Sequence, residues 1–193
     1  MSGIAGVDYA WTHPGGAALK AAGKKFACRY LSDDHRKNLS KAEAKDLSSH
    51  GVACVVVWEA GAKRALSGSK GGAADAKKAE QQAAALGMPQ DRPIYFAVDF
   101  DATPGQQDHI NAYLDGAAGV IGRERVGIYG GYYPVKRALD AKKAHWAWQT
   151  PAWSGGQWDH RAQIRQGAQQ TIGGVGCDLN VATADDYGQW SPR

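Results

Sequence analysis

Asp99 and Asp101 close the segment Pro93-Ile-Tyr-Phe-Ala-Val-Asp-Phe-Asp101, two carboxylates one residue apart at the end of an apolar run. In an extended chain successive side chains alternate. Tyr95, Ala97, Asp99 and Asp101 therefore share one face, and Ile94, Phe96, Val98 and Phe100 the other. The same device recurs: Asp8 follows Gly6 and Asp178 follows Gly176 at spacing two, and Glu59 ends the run Val52–Trp58. A turn or a helix cap before Thr103-Pro104 would account for Asp101 alone. It does not account for acids placed on inward faces, where they cost desolvation and mutual repulsion. Gathered carboxylates have two chemistries. One is a divalent-cation site; the other is glycoside hydrolysis, with one carboxyl protonated as general acid and another acting as base, nucleophile or charge stabiliser. The aromatic residues Tyr9, Trp11, Tyr30, Trp58, Tyr129, Tyr132, Tyr133, Trp148 and Trp153 fall at or just after the same segment ends. Apolar rings with polar tips suit a sugar-binding cleft and are surplus to a metal site.

The elements that must carry these residues read as eight strands, over 4–8, 26–30, 52–59, 94–99, 126–130, 145–149, 162–166 and 176–180. Helical patterns follow the first five, over 15–22, 40–50, 73–86, 106–121 and 133–141. Ser40 with Glu43 three residues on forms a capping box, and Gly87 with Pro89 ends the third helix. Strand–helix alternation predicts a parallel sheet with helices outside. The last third has no room for full crossover helices, so strand seven is expected to run antiparallel to its neighbours. The fold class is therefore α/β: a small irregular TIM-like barrel, about five βα units followed by three strands, in one domain over 1–193. In such barrels the carboxyl ends of the strands carry the chemistry. That end collects Asp8, Arg29 with Tyr30, Trp58 with Glu59, Asp99 with Asp101, Tyr129, Trp148 with Gln149, and Asp178 with Asn180. The glycine-rich patch 67–72 is read as a loop on that face.

Composition sets outer limits. The chain has 193 residues, 44% of them apolar, with a net charge of +4. That is one ordinary globular domain with a mildly basic surface suited to a polyanionic partner. No pattern of basic and stacking residues argues for nucleic acid, and no apolar run approaches a membrane span. Cys28, Cys54 and Cys177 are an odd, widely spaced set, read as buried free thiols. The six histidines are scattered singly, without CxxC or HExxH spacing, so neither a metal nor a cofactor is expected. No signal peptide is visible ahead of Ile4. Synthesis in the cytoplasm followed by release or export, and action as a monomer, are the corresponding expectations.

The succession Gly6-Val-Asp8, Tyr30-Leu, Trp58-Glu59, Ile94-Tyr-Phe-Ala-Val-Asp-Phe-Asp101, Gly127-Ile-Tyr-Gly130 and Asp178-Leu-Asn180 resembles the glycoside-hydrolase-like domains of unknown function of the DUF1906 group, relatives of the family 25 muramidases. The likeness covers essentially the whole chain. It implies a barrel of five βα units and three further strands, and places Asp8, Asp99, Asp101 and Asp178 on the family's catalytic carboxylates. Family 25 enzymes usually have Asp-x-Glu on strand four, with the glutamate as general acid. Here Asp101 stands in that place, one methylene shorter, and Glu59 is the reserve acid. Arg29, Tyr30, Trp58, Tyr129, Trp148, Gln149 and Asn180 are the expected substrate contacts. The resemblance implies a peptidoglycan-directed hydrolase of the endolysin or wall-associated type, with bacterial cell-wall glycan as partner. A non-catalytic wall-binding domain that keeps the cleft, or a hydrolase of another polysaccharide, is the alternative.

Overall fold

The computed structural model describes residues 3–192. Met1 and Ser2, where the amino-terminal reading began, and Arg193 lie outside the described residues. Eight strands close into a barrel in chain order: β1 Ile4–Asp8, β2 Phe26–Leu31, β3 Ala53–Trp58, β4 Ile94–Val98, β5 Val126–Gly130, β6 Trp146–Gln149, β7 Ile164–Ile172 and β8 Val175–Ala182. Helices α1 Gly16–Ala21, α2 Lys41–Ser49, α3 Gly68–Leu86, α4 Gln107–Ile121 and α5 Tyr132–Asp140 follow the first five strands. No helix of the described residues is long and apolar enough to cross a membrane.

Alternation along each strand separates two cores. Phe26, Cys28, Val55, Val57, Tyr95, Ala97 and Trp148 fill the barrel, with Tyr187 from the carboxyl-terminal segment. Ile94, Phe96, Val98 and Phe100 pack outward under the helices. The expected division of strand four therefore holds. Gly6 and Gly127 make room for the interior rings: a Cβ on Gly6 would lie 2.4 Å from the Phe26 ring, and one on Gly127 2.7 Å from Tyr95. All three cysteines are buried and free.

Two expectations are corrected. Strand β7 is parallel to β6, and β8 is the reversed strand, antiparallel to both β7 and β1. The loop from Thr150 to Gln163 is long enough to return the chain to the start of β7 without a helix. The reversal comes later, at a tight hairpin where Gly173 (φ 57°) and Gly174 (φ 80°) both take left-handed backbone. That is the two-residue turn whose twist suits antiparallel strands. The glycine patch is not a loop either. A short 3-10 turn over Arg64–Ser67 leads straight into α3, which begins at Gly68. Gly72 and Gly116 let α3 and α4 touch backbone to backbone, since a Cβ would lie 1.8 Å from the Tyr113 carbonyl oxygen and 2.0 Å from that of Ser69 respectively.

Candidate active site

Asp8 ends β1 on the inward face, directly across from Asp178 on β8. Its side chain is almost wholly buried. The Oδ2 atom accepts from Asn180 Nδ2 at 2.7 Å and from Gln166 Nε2 at 2.8 Å. Both amides are themselves oriented: Trp148 Nε1 donates to Asn180 Oδ1 (2.8 Å) and the Tyr129 hydroxyl donates to Gln166 Oε1 (3.0 Å). Burial pushes the Asp8 carboxyl up to about 7, against the two amide hydrogen bonds that favour its charged form; the nearby Asp178 carboxylate adds to the rise and Arg29 opposes it. The protein thus fixes a carboxyl group in position and leaves its charge finely balanced near neutrality.

A second pair lies across the mouth. Glu59 accepts from Lys37 Nζ at 2.7 Å, and that ammonium stands 4.8 Å from the centre of the Tyr30 ring. Asp99, half-buried just beyond β4, has its carboxyl raised by burial and then by Glu59, with Lys37 pulling it down. Tyr30 lies between the two pairs: burial, then Asp8, Glu59 and Asp99 among its neighbours, push its phenol well up. A cavity of about 330 Å³ opens beside Asp8 and Asp178, bounded by Tyr9, Trp11, Tyr30 and Gln169. Four carboxylates from β1, β3, β4 and β8 therefore face one mouth, two of them biased toward the protonated form. Among the described residues, no group of three or more His, Cys, Asp or Glu side chains could hold a metal ion.

Residues 17–183 match the model of the Rv2525c-like, glycoside hydrolase-like domain family. The chain belongs to this family. Rv2525c of Mycobacterium tuberculosis, designated a candidate peptidoglycan hydrolase, is 29% identical over 199 residues, spanning 96% of this chain and 83% of that protein. The crystal structure of Rv2525c, described as Tat-secreted and bound to L-tartrate, superposes with a TM-score of 0.93 at 28% identity, covering 98% of this chain and all of the crystallised one. A family 25 glycosyl hydrolase from Bacillus anthracis shares the fold, with a TM-score of 0.62 at 15% identity over 96% of this chain and 93% of that one.

Within this Rv2525c-like domain, several expected contacts have other duties. Arg29 is fully buried on the outer face of β2, where it binds Glu43 of α2 (Nε to Oε1, 2.6 Å) and the Tyr9 carbonyl oxygen. Alternation explains this, because its neighbour Cys28 points inward. Trp58 likewise faces the outer core, one residue out of phase with Glu59. Gln149 is out of phase with Trp148 and pins the following loop, donating to the Gln157 carbonyl oxygen and accepting from the Asp159 N–H. Trp148 and Asn180 are buried beneath Asp8 and support it rather than meeting solvent. Asp101 is exposed at the rim, and the carboxylate acting on Asp99 is Glu59, not Asp101 as strand spacing suggested. Nor does Asp101 cap α4, whose entry is held by the Thr103 N–H donating to Gln106 Oε1. Sequence reasoning missed Gln166 because strand seven was read backwards, which puts residue 166 at the wrong end of the barrel. Lys37, in the short turn after β2, carried no strand or motif signal.

Proposed function

We propose that this Rv2525c-like domain is a peptidoglycan-directed glycoside hydrolase. In this reading Asp99 gives its proton to the leaving oxygen, Asp178 stabilises the positive charge developing at the sugar carbon, and Asp8, balanced near neutrality, adds to that stabilisation in its ionised form. The observation that supports it most is the contrast between environments at one mouth. Asp99 is driven toward its protonated form by burial and by Glu59, while Glu59 is held as an ion pair by Lys37. A carboxyl group biased toward its protonated form beside another that is paired with an ammonium is how one site supplies both an acid and an anion near neutral pH. The designation of Rv2525c as a candidate peptidoglycan hydrolase favours wall glycan as the polymer. The domain would act on it as a monomer, outside the membrane.

Release of new reducing ends from purified bacterial cell walls tests the assignment. Removing a general acid forfeits about 10²–10⁴-fold in rate. Asp99→Asn should lose that much while keeping its fold and its binding to insoluble walls. Full activity in Asp99→Asn with loss in Asp101→Asn would move the acid to the rim; loss only in Glu59→Gln would move it to β3. If the wild-type protein binds walls and releases no reducing ends, the domain is a binding module and the hydrolase assignment fails.

A further inference from the structure

Trp153 is held in a backbone conformation that its side chain disfavours. It occupies the third position of a turn closed by the Ser154 N–H donating to the Pro151 carbonyl oxygen (3.2 Å), with φ 56°. Glycine or asparagine ordinarily takes a left-handed third position, and a bulky residue there is strained. Lys142 is the other left-handed non-glycine among the described residues, and it has a plain reason. It lies just past the end of α5 and bonds the Leu139 carbonyl oxygen at 3.0 Å, a place where helices commonly turn left-handed. Trp153 has no such reason, and 41% of it is exposed.

The turn is also built to stay where it is. Buried Ser154 donates its hydroxyl to the Thr150 carbonyl oxygen (2.7 Å) and accepts from the Tyr132 N–H (2.9 Å), tying the turn to the start of α5. Gly131 lets the two backbones meet, since a Cβ there would lie 3.0 Å from the Ala152 carbonyl oxygen and 3.6 Å from the Trp153 Cβ. Beside it Tyr133, 42% exposed, accepts from Gln157 Nε2 at 2.8 Å and rests edge-on against Tyr132 at 5.2 Å between centroids. Both rings are thus partly exposed at the carboxyl ends of β5 and β6, with the Arg137 guanidinium 5.5 Å from the centre of the Tyr133 ring. In barrel order β5 and β6 follow β4, whose end carries Asp99, and β6 is two strands from β8, which carries Asp178.

We infer that Trp153 and Tyr133 form a platform for a pyranose ring of the glycan strand, on the rim that follows the Asp99 end of the mouth. A sugar presents an apolar C–H face bordered by hydroxyls, which fits an aromatic ring flanked by the Tyr133 hydroxyl and the Gln157 amide. The inference rests on the hydrolase reading and fixes where the rest of the polymer lies.

The test is calorimetric titration with soluble wall-glycan fragments of two and of six sugars, every protein carrying Asp99→Asn to suppress turnover. Adding Trp153→Ala or Tyr133→Ala should weaken six-sugar binding about tenfold. Trp153→Gly should lose the same affinity with a Tm equal to or above its parent's, because glycine relieves the left-handed strain. A residue that served only packing would lose stability instead. Unchanged six-sugar affinity in all three variants overturns the platform while the hydrolase reading stands. Unchanged affinity with a shift in sedimentation on Trp153→Ala overturns it in favour of contact between copies. A parent that binds neither fragment removes both the platform and the reading beneath it.

Discussion

Asp8 is a carboxyl group kept where it costs the fold. Burial raises it from its ordinary 3.8 to about 7, so between those values the folded chain holds a proton that the unfolded chain has released. With more protons bound in the native state, stability falls as pH rises through that window and levels off above about 7. Replacement by asparagine removes the titration and keeps an oxygen to accept from Gln166 and Asn180. Asp8→Asn should therefore be more stable than wild type at pH 8, by on the order of 2–4 kcal/mol, and indistinguishable from it near pH 4. Urea denaturation at a series of pH values reads this directly. Equal stability across the series would mean that Asp8 ionises freely and bears no desolvation cost. The inward aim of Asp8 was legible from its spacing to Gly6. Its two donors were not, since no local pattern ties residues 166 and 180 to residue 8.

At the scale of elements, α3 and α4 show how a pattern can be read with the wrong meaning. Clustered glycine signals a loop when the chain is taken locally, yet Gly72 lies inside a 19-residue helix because α4 approaches too closely for any side chain. Two effects compete on substitution. Alanine is favoured over glycine in a helix by roughly 1 kcal/mol, whereas overpacking costs typically 1–3 kcal/mol. The predicted Cβ would lie 1.8 Å from a backbone carbonyl oxygen, which cannot rotate away as a side chain could, so the second effect wins. Gly72→Ala should lower stability by about 2 kcal/mol in chemical denaturation; a stabilised variant would show that the helices separate at little cost. The five βα units were legible because strand and helix periodicities alternate without interruption. The orientation of β7 was not, because it depends on the path of an irregular loop and on Gly173-Gly174, whose turn lies beyond the predicted end of that strand.

Taken whole, the barrel is filled from its floor to its mouth, and the acids rest on that filling. Tyr187 closes the floor with its ring 4.6 Å from Phe26, and its carbonyl oxygen accepts from the Tyr95 hydroxyl at 2.9 Å. Tyr95 meets Trp148 edge-on at 6.3 Å, and Trp148 holds Asn180, which holds Asp8. Trp190 adds a backbone pair with Cys54 on the same floor. A filled interior transmits stability to every strand, but the charges that set the chemistry are all near the mouth. Loss of the Tyr187 ring leaves a cavity worth roughly 3–5 kcal/mol and leaves the backbone bond to Tyr95 available. Tyr187→Ala should therefore melt well below wild type yet, at a temperature where it is folded, cleave walls at the wild-type rate per molecule. The fall of its activity at high pH should also coincide with that of wild type, because burial, Glu59 and Lys37 set the proton on Asp99 and none of these touches the floor. A folded Tyr187→Ala protein with a displaced pH limb would show instead that the aromatic column tunes the acids above it.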